Sequence, residues 1–377
     1  MEFLKYFEPE LTVRSPGRIN IIGEHADYNM GYVLPTAIGK KITFKFQRND
    51  SDRICHVYSM GYDTGFQIDL SVIAPSNTEW ENYILGVLNE ISLKTDKVRG
   101  FDCTIESRLP IGSGVSSSAA LECGFAYGLN ELFDLELTRM EIVELSQRAE
   151  HNYVGTKCGI MDQFASVMSK EGNVILLDCE SLEFEYIPID LAPYKILMLN
   201  TNVSHNLASG EYNTRRAECE AGVAVLKKFH PEVNSLRQAT EAMVIQHRDT
   251  MGEKVFNRCL YIVQEKERVL EAVAALKVND LQKLGNLLYD THDGLSKLYE
   301  VSCPELDFLV DFSKTNDAVL GARLMGGGFG GCTINLVHED AVADYLQSAS
   351  RAYKERFNIE LTAFEALPSE GTSIKLP

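Results

Sequence analysis

Two periodicities alternate along the chain. Residues 40–47, KKITFKFQ, and 332–337, CTINLV, switch between polar and apolar at every step, which predicts half-buried strands. FDCTIES (101–107) and NVILLDC (173–179) carry the same signal with less contrast. Elsewhere the apolar period lengthens to that of a helix. In NTEWENYILGVLNEI (77–91), Trp80, Tyr83, Ile84, Val87, Leu88 and Ile91 fall on one stripe, and Thr78 with Glu81 has capping-box spacing. Thr138 and Glu141 repeat that spacing ahead of IVELSQRAEHNYVG. Longer helical patterns cover 211–229 and 254–276, and strands return after Gly321. Helices and strands mix without strict βαβ alternation, so the expected class is α+β.

Length changes the picture by adding a second core, because 377 residues exceed what one hydrophobic core ordinarily serves. IPIDLAPYK puts Pro188 and Pro193 between strand-like segments, so we place the boundary near residue 190, giving units 1–190 and 191–377. The formal charge of −18 argues against a nucleic-acid or anionic-membrane partner, which would require a basic face. Nine scattered cysteines, none in CxxC spacing, signal neither a disulfide framework nor zinc. A reducing cytoplasm is the expected location. With no basic leader and no eighteen-residue apolar run, a soluble, unprocessed chain is expected.

Three polar constellations carry candidate chemistry. RLPIGSGVSSSAALE (108–122) is a glycine-serine loop running into a helix, yet it has no P-loop lysine. Gly112 and Gly114 permit close backbone approach, with Ser113 and Val115 between and after them. Ser116, Ser117 and Ser118 then stand at a helix N-terminus, whose unpaired amides and dipole attract phosphate without a cation. A serine-rich helix cap is the competing reading. In SPGRINIIGEHADYNMGYVLP (15–35), Arg18, Glu24, His25 and Asp27 crowd around an apolar INII segment. Such crowding suits a polyhydroxylated ligand, whose hydroxyls each need a donor and an acceptor once desolvated. A surface turn with one ion pair is the bland alternative.

RLMGGGFGGCTI (323–334) formally contains GxGxxG, but a strand pattern follows it where a dinucleotide fold would place a helix. Composition alone favours a tight hairpin without a ligand. Two acids remain. Asp162, inside KCGIMDQFASVM, would need a partner if buried, and Arg18 is the obvious one. Glu150 has Val154 rather than a cation one helical turn on.

In this order and spacing the motifs resemble the GHMP kinase superfamily, and PGRINIIGEHADYN resembles the signature of its galactokinase family. LPIGSGVSSSAALE is similar to the superfamily's ATP loop and LMGGGFGGCTI to its C-terminal glycine motif. WENYILGVL, AEHNYVGTKCGIMDQF and EYNTRRAECE extend the likeness over nearly the whole chain. The resemblance implies an S5-like N-terminal domain, a ferredoxin-like C-terminal domain, and an active site in the cleft between them. It implies ATP-dependent phosphorylation of α-D-galactose at the anomeric hydroxyl, with magnesium. By similarity Asp162 matches the base and Arg18 the cation beside it, while Glu24, His25, Asp27, Gly159 and Tyr212 match sugar-contacting positions. Ser118 and Glu150 match the magnesium ligands, Gly112 to Ser118 the phosphate loop, and Trp80 a position near adenine. Ala26, Val115 and Gly210 depart from the family's usual Thr, Leu and Ser. Kinases of related sugars, such as N-acetylgalactosamine or arabinose, share these motifs. A non-catalytic galactose and ATP sensor on the same fold is a further alternative, opposed by the intact serine loop.

Overall fold

The structure, a computed structural model, describes residues 1–110, 112–204 and 208–375. The alternation of KKITFKFQ becomes part of a strand, Pro35–Arg48, that buries Ile42, Phe44 and Phe46 on one face and presents Lys41, Thr43 and Lys45 on the other. This strand pairs antiparallel with Leu11–Asn20 on one side and Phe101–Ser107 on the other. Ile54–Ser59 and Thr64–Asp69 complete that end of the sheet. Against its apolar face lies the helix Ser117–Phe133. Gly124 and Gly128 make this approach possible, because a methyl group on either would sit 2.3 Å from the Phe44 ring or 2.1 Å from the Phe46 ring.

The second sheet is antiparallel, in the order Val319–Met325, Gly330–His338, Tyr194–Ser204, Thr362–Ala366. A small third sheet joins Tyr32–Val33, Asn173–Asp178 and Phe184–Pro188. Residues 189–193 lead from this third sheet into the second. The unit expected to run to residue 377 nevertheless lends its last segment to the first sheet: Pro368–Ser369 pairs with Pro35–Arg48, and Ser373–Ile374 with Leu11–Asn20. Thr372, between them, is fully buried and hydrogen-bonds Ser15 at 2.9 Å. The expected long helices occur as Ala208–Leu226 and Glu253–Lys277. Among the described residues no helix is long and apolar enough to cross a membrane.

Only one of the two capping-box spacings forms a box. Thr138 accepts from the Glu141 amide at 3.2 Å and Glu141 accepts from the Thr138 amide at 2.9 Å, closing the start of Arg139–Ala149. Ahead of Glu79–Ser92, Ser76 donates to Glu81 at 2.6 Å, and Thr78 makes no capping bond. Thr138→Ala is therefore expected to lower stability by about 1 kcal/mol, and Thr78→Ala by much less, as read from denaturant midpoints.

Candidate functional site

The end of Leu11–Asn20, the serine loop and the turn of the glycine hairpin converge on one cavity of about 330 Å³. Its walls include Arg18, Glu24, His25, Asp27, Gly112 to Ser118, Glu150, Asp162 and Tyr212. Of the residues singled out in the sequence, Trp80 and Gly159 are the two that stand off this wall. Trp80 lines an adjoining, largely apolar slot of about 230 Å³ that shares Tyr83, Ser117 and Ser118 with the main cavity. Gly159 lies behind Asp27: a methyl group there would sit 2.0 Å from Asp27 Oδ2, so the glycine makes room for the carboxylate.

Asp162 is carried by the short helix Met161–Met168. Arg18 grips it with two bonds, Nε to Oδ1 at 2.7 Å and Nη2 to Oδ2 at 3.0 Å, and gives its third to the Gly114 carbonyl at 2.6 Å. Arg18 is 4% exposed and the Asp162 side chain 23%, so of the two wall residues the carboxylate is the more open to the cavity. Burial works against the Arg18 charge, and the attraction of Asp162 and Glu24 outweighs it, raising its pKa. Ser116, in left-handed backbone conformation at the N-cap of Ser117–Phe133, donates to Asp162 Oδ2 at 2.5 Å and accepts no bond from the amides of its own helix. The first amides of that helix are thus left without a side-chain cap, at the positive end of its dipole.

Glu24, read as a sugar contact, has a structural duty as well. Its Oε1 accepts from both Arg323 Nη1 and Nη2 at 3.1 Å and from the Gly326 amide at 2.9 Å. Fully buried Arg323 also binds the Ile21 carbonyl at 2.9 Å, the Leu324 carbonyl at 2.5 Å and the Asn20 carbonyl. It ties the sugar-motif loop to the glycine hairpin. Composition favoured a ligand-free hairpin at 323–334. The hairpin is there, between Val319–Met325 and Gly330–His338, but Gly326, Gly327 and Gly328 at its turn form part of the cavity wall.

His25 passes one ring nitrogen to the Tyr28 hydroxyl at 2.8 Å, and its buried Nε2 has no partner among the described residues. Burial pushes its pKa down to about 3, so the ring is neutral. Asp27 is raised to about 7, first by burial and then by the charge of Asp162. Because this folded pKa exceeds the unfolded one near 4, the folded protein holds an extra proton between roughly pH 4 and 7. Stability from this group falls as pH rises through that window, and Asp27→Asn is expected to flatten the decline in Tm over it.

Glu150 sits on the π-helical turn Glu150–Val154. It accepts from Gln163 Nε2 at 2.8 Å and from the Cys158 thiol at 3.6 Å, and makes no ion pair with Lys or Arg among the described residues. Burial, then the charge of Asp162, raise it to about 7. Behind it lies Glu122, fully buried with one oxygen unpartnered among the described residues and its pKa pushed up by burial. Glu122, Gln163 and Arg323 were not singled out from the sequence. The signal available for Glu122 was its place in SSSAALE, five residues into a helix that is otherwise apolar or small there. Ala26 is fully buried and off the cavity wall, and neither it nor Gly210 lines the cavity, so those two departures leave its walls unchanged.

Comparison with known proteins places these features in context. The galactokinase galactose-binding signature matches residues 1–48, the GHMP kinase N-terminal domain 82–170, and the GHMP kinase C-terminal domain 272–355. A galactokinase of Thermosipho africanus is 41% identical over 97% of this chain and 100% of its own length. One of Clostridium acetobutylicum is 38% identical over 92% and 90%. Among solved structures, Lactococcus lactis galactokinase complexed with galactose superposes with a TM-score of 0.94 at 33% identity, covering 99% of this chain and 97% of that one. Methanococcus jannaschii mevalonate kinase, at 19% identity and a TM-score of 0.67 over 96% and 98%, shares the fold.

Proposed function

Because the chain belongs to the galactokinase family of the GHMP kinases, an ATP-dependent sugar kinase family, we propose that this cavity transfers the γ-phosphoryl group of ATP to the anomeric hydroxyl of α-D-galactose. The observation that carries the assignment of roles is the Arg18–Asp162–Ser116 cluster, standing where the sugar motif meets the serine loop. Galactose occupies the wall of Glu24, His25, Asp27 and Tyr212, with the neutral His25 Nε2 accepting or donating to a hydroxyl and Asp27 accepting. Gly159 acts through Asp27 by setting its position. The loop amides of residues 112–118 and the N-terminus of Ser117–Phe133 hold the phosphates. The apolar slot beside Trp80 takes the adenine.

Asp162 takes the anomeric proton as the oxygen attacks. Both of its oxygens are already engaged, so the incoming hydroxyl displaces Ser116 from Oδ2 or uses a remaining lone pair. Arg18 fixes the orientation of the carboxylate through its two bonds and stands beside the charge developing on the transferred group. The residues present fit a magnesium ion: Ser118 offers a hydroxyl and Glu150 a carboxylate that lacks a cationic partner among the described residues, both on the same cavity wall. No cluster of three or more metal-ligating side chains occurs among the described residues, so phosphate oxygens and water would complete the coordination. When bound, the ion supplies charge neutralisation of the β- and γ-phosphates, the task a P-loop lysine performs elsewhere. The nine cysteines are free and buried, which supports a cytoplasmic location.

The test is ADP release on adding galactose to protein, ATP and magnesium. No galactose-dependent release overturns the reading. A panel including N-acetylgalactosamine and arabinose, compared by kcat/KM, sets the sugar preference, with galactose expected first.

A further inference from the structure

The outer face of the first sheet, opposite the helix Ser117–Phe133, contradicts the charge of the whole chain. Thr12, Arg14, Lys41, Thr43, Lys45, Arg108 and Lys375, together with Gly39 and the single acid Glu106, line a hollow of about 310 Å³. Strand geometry gathers them: Thr12 pairs with Lys45, and Thr43 lies between Arg14 and Glu106. The Lys375 amide bonds the Thr12 carbonyl, and the Arg108 amide the Lys41 carbonyl. None of these residues lines the catalytic cavity.

Five cations thus share one surface with one carboxylate in a chain of charge −18. Many exposed cations elsewhere pair with acids, as in Arg48–Glu10, Lys283–Glu271 and Lys354–Glu360. Here none of the five makes an ion pair among the described residues, and Lys41 reaches only the Glu370 carbonyl, at 3.1 Å. Burial pulls the Lys41 ammonium below its ordinary range and Arg14 adds to this, while the Glu370 and Glu171 carboxylates beyond the lining oppose it. Crowded cations repel one another, and an anion seated among them removes that repulsion. The described lining has no aromatic side chain on which successive bases could stack, which disfavours single-stranded nucleic acid. The threonine hydroxyls instead suit phosphate oxygens.

We propose that this hollow is a second binding site, specific for a compact anion of two or more charges, either inorganic diphosphate or a small phosphate ester. Calorimetry tests it on the full chain with galactose and a non-hydrolysable ATP analogue filling the catalytic cavity, at matched ionic strength. Inorganic pyrophosphate and glucose 6-phosphate are the probes that separate the two sources. Saturable binding of either is expected. The combined Arg14→Gln, Lys45→Gln, Arg108→Gln variant should weaken it by at least about tenfold, with galactose-dependent turnover unchanged. Absence of saturable binding, equal affinity in the variant, or preference for an oligonucleotide at equal phosphate concentration would overturn it.

Discussion

Asp162→Asn is expected to lower kcat by about a thousandfold while leaving the galactose Kd within about threefold of its original value. The asparagine keeps an acceptor for Arg18 Nε or Nη2 and for a substrate hydroxyl, but it cannot take a proton. Asp162→Ala removes the acceptor as well and leaves a 4%-exposed guanidinium with only the Gly114 carbonyl, so its Tm should fall further than that of the asparagine variant. Rate and binding, measured side by side on the two variants, separate the roles. If the carboxylate acts as base, both variants are slow. If it mainly positions the hydroxyl, asparagine recovers most of the rate that alanine loses.

Arg323→Met should destabilise the molecule by about 3–5 kcal/mol, because it strips the buried Glu24 carboxylate of its ion-pair partner. Three backbone carbonyls, of Asn20, Ile21 and Leu324, lose their donor at the same time. Lysine cannot substitute, since one ammonium does not reach a carboxylate and three carbonyls in a fork. A double-mutant cycle with Glu24→Gln isolates the pair: the combined variant should recover part of the loss, because no unpaired charge then remains buried. Galactose affinity should drop in Arg323→Met even below its melting transition, as Glu24 loses the bonds that aim it.

How far the sequence revealed this site depended on whether a residue's reason lay nearby in the chain. The strand of KKITFKFQ and the helix after Thr138 were legible because period and cap are local. The Arg18–Asp162 pair was legible for a different reason, since a carboxylate in an apolar stretch demands a partner wherever it lies. Arg323 gave no such sign. Its partners stand about three hundred positions earlier, and an arginine at the mouth of a glycine run looks like any surface cation. Thr78 misled because Ser76, two residues upstream, takes Glu81 instead. Gly159 showed its purpose only once Asp27 was seen against it, and strands of two residues such as Ser373–Ile374 have no period to detect.

The return of 368–374 to the first sheet also orders events during synthesis. Chains leave the ribosome N-terminus first and domains generally fold as they emerge. Here, however, the strand Leu11–Asn20, which carries Arg18, stays an open edge until almost the entire polypeptide has been made. For that interval the nascent sheet presents unpaired backbone groups, together with the Ser15 hydroxyl and the Ser166 carbonyl that Thr372 later engages. A ribosome pausing in the last tenth of the message would hold the chain in its most association-prone form, and arrival of the final strand ends that exposure.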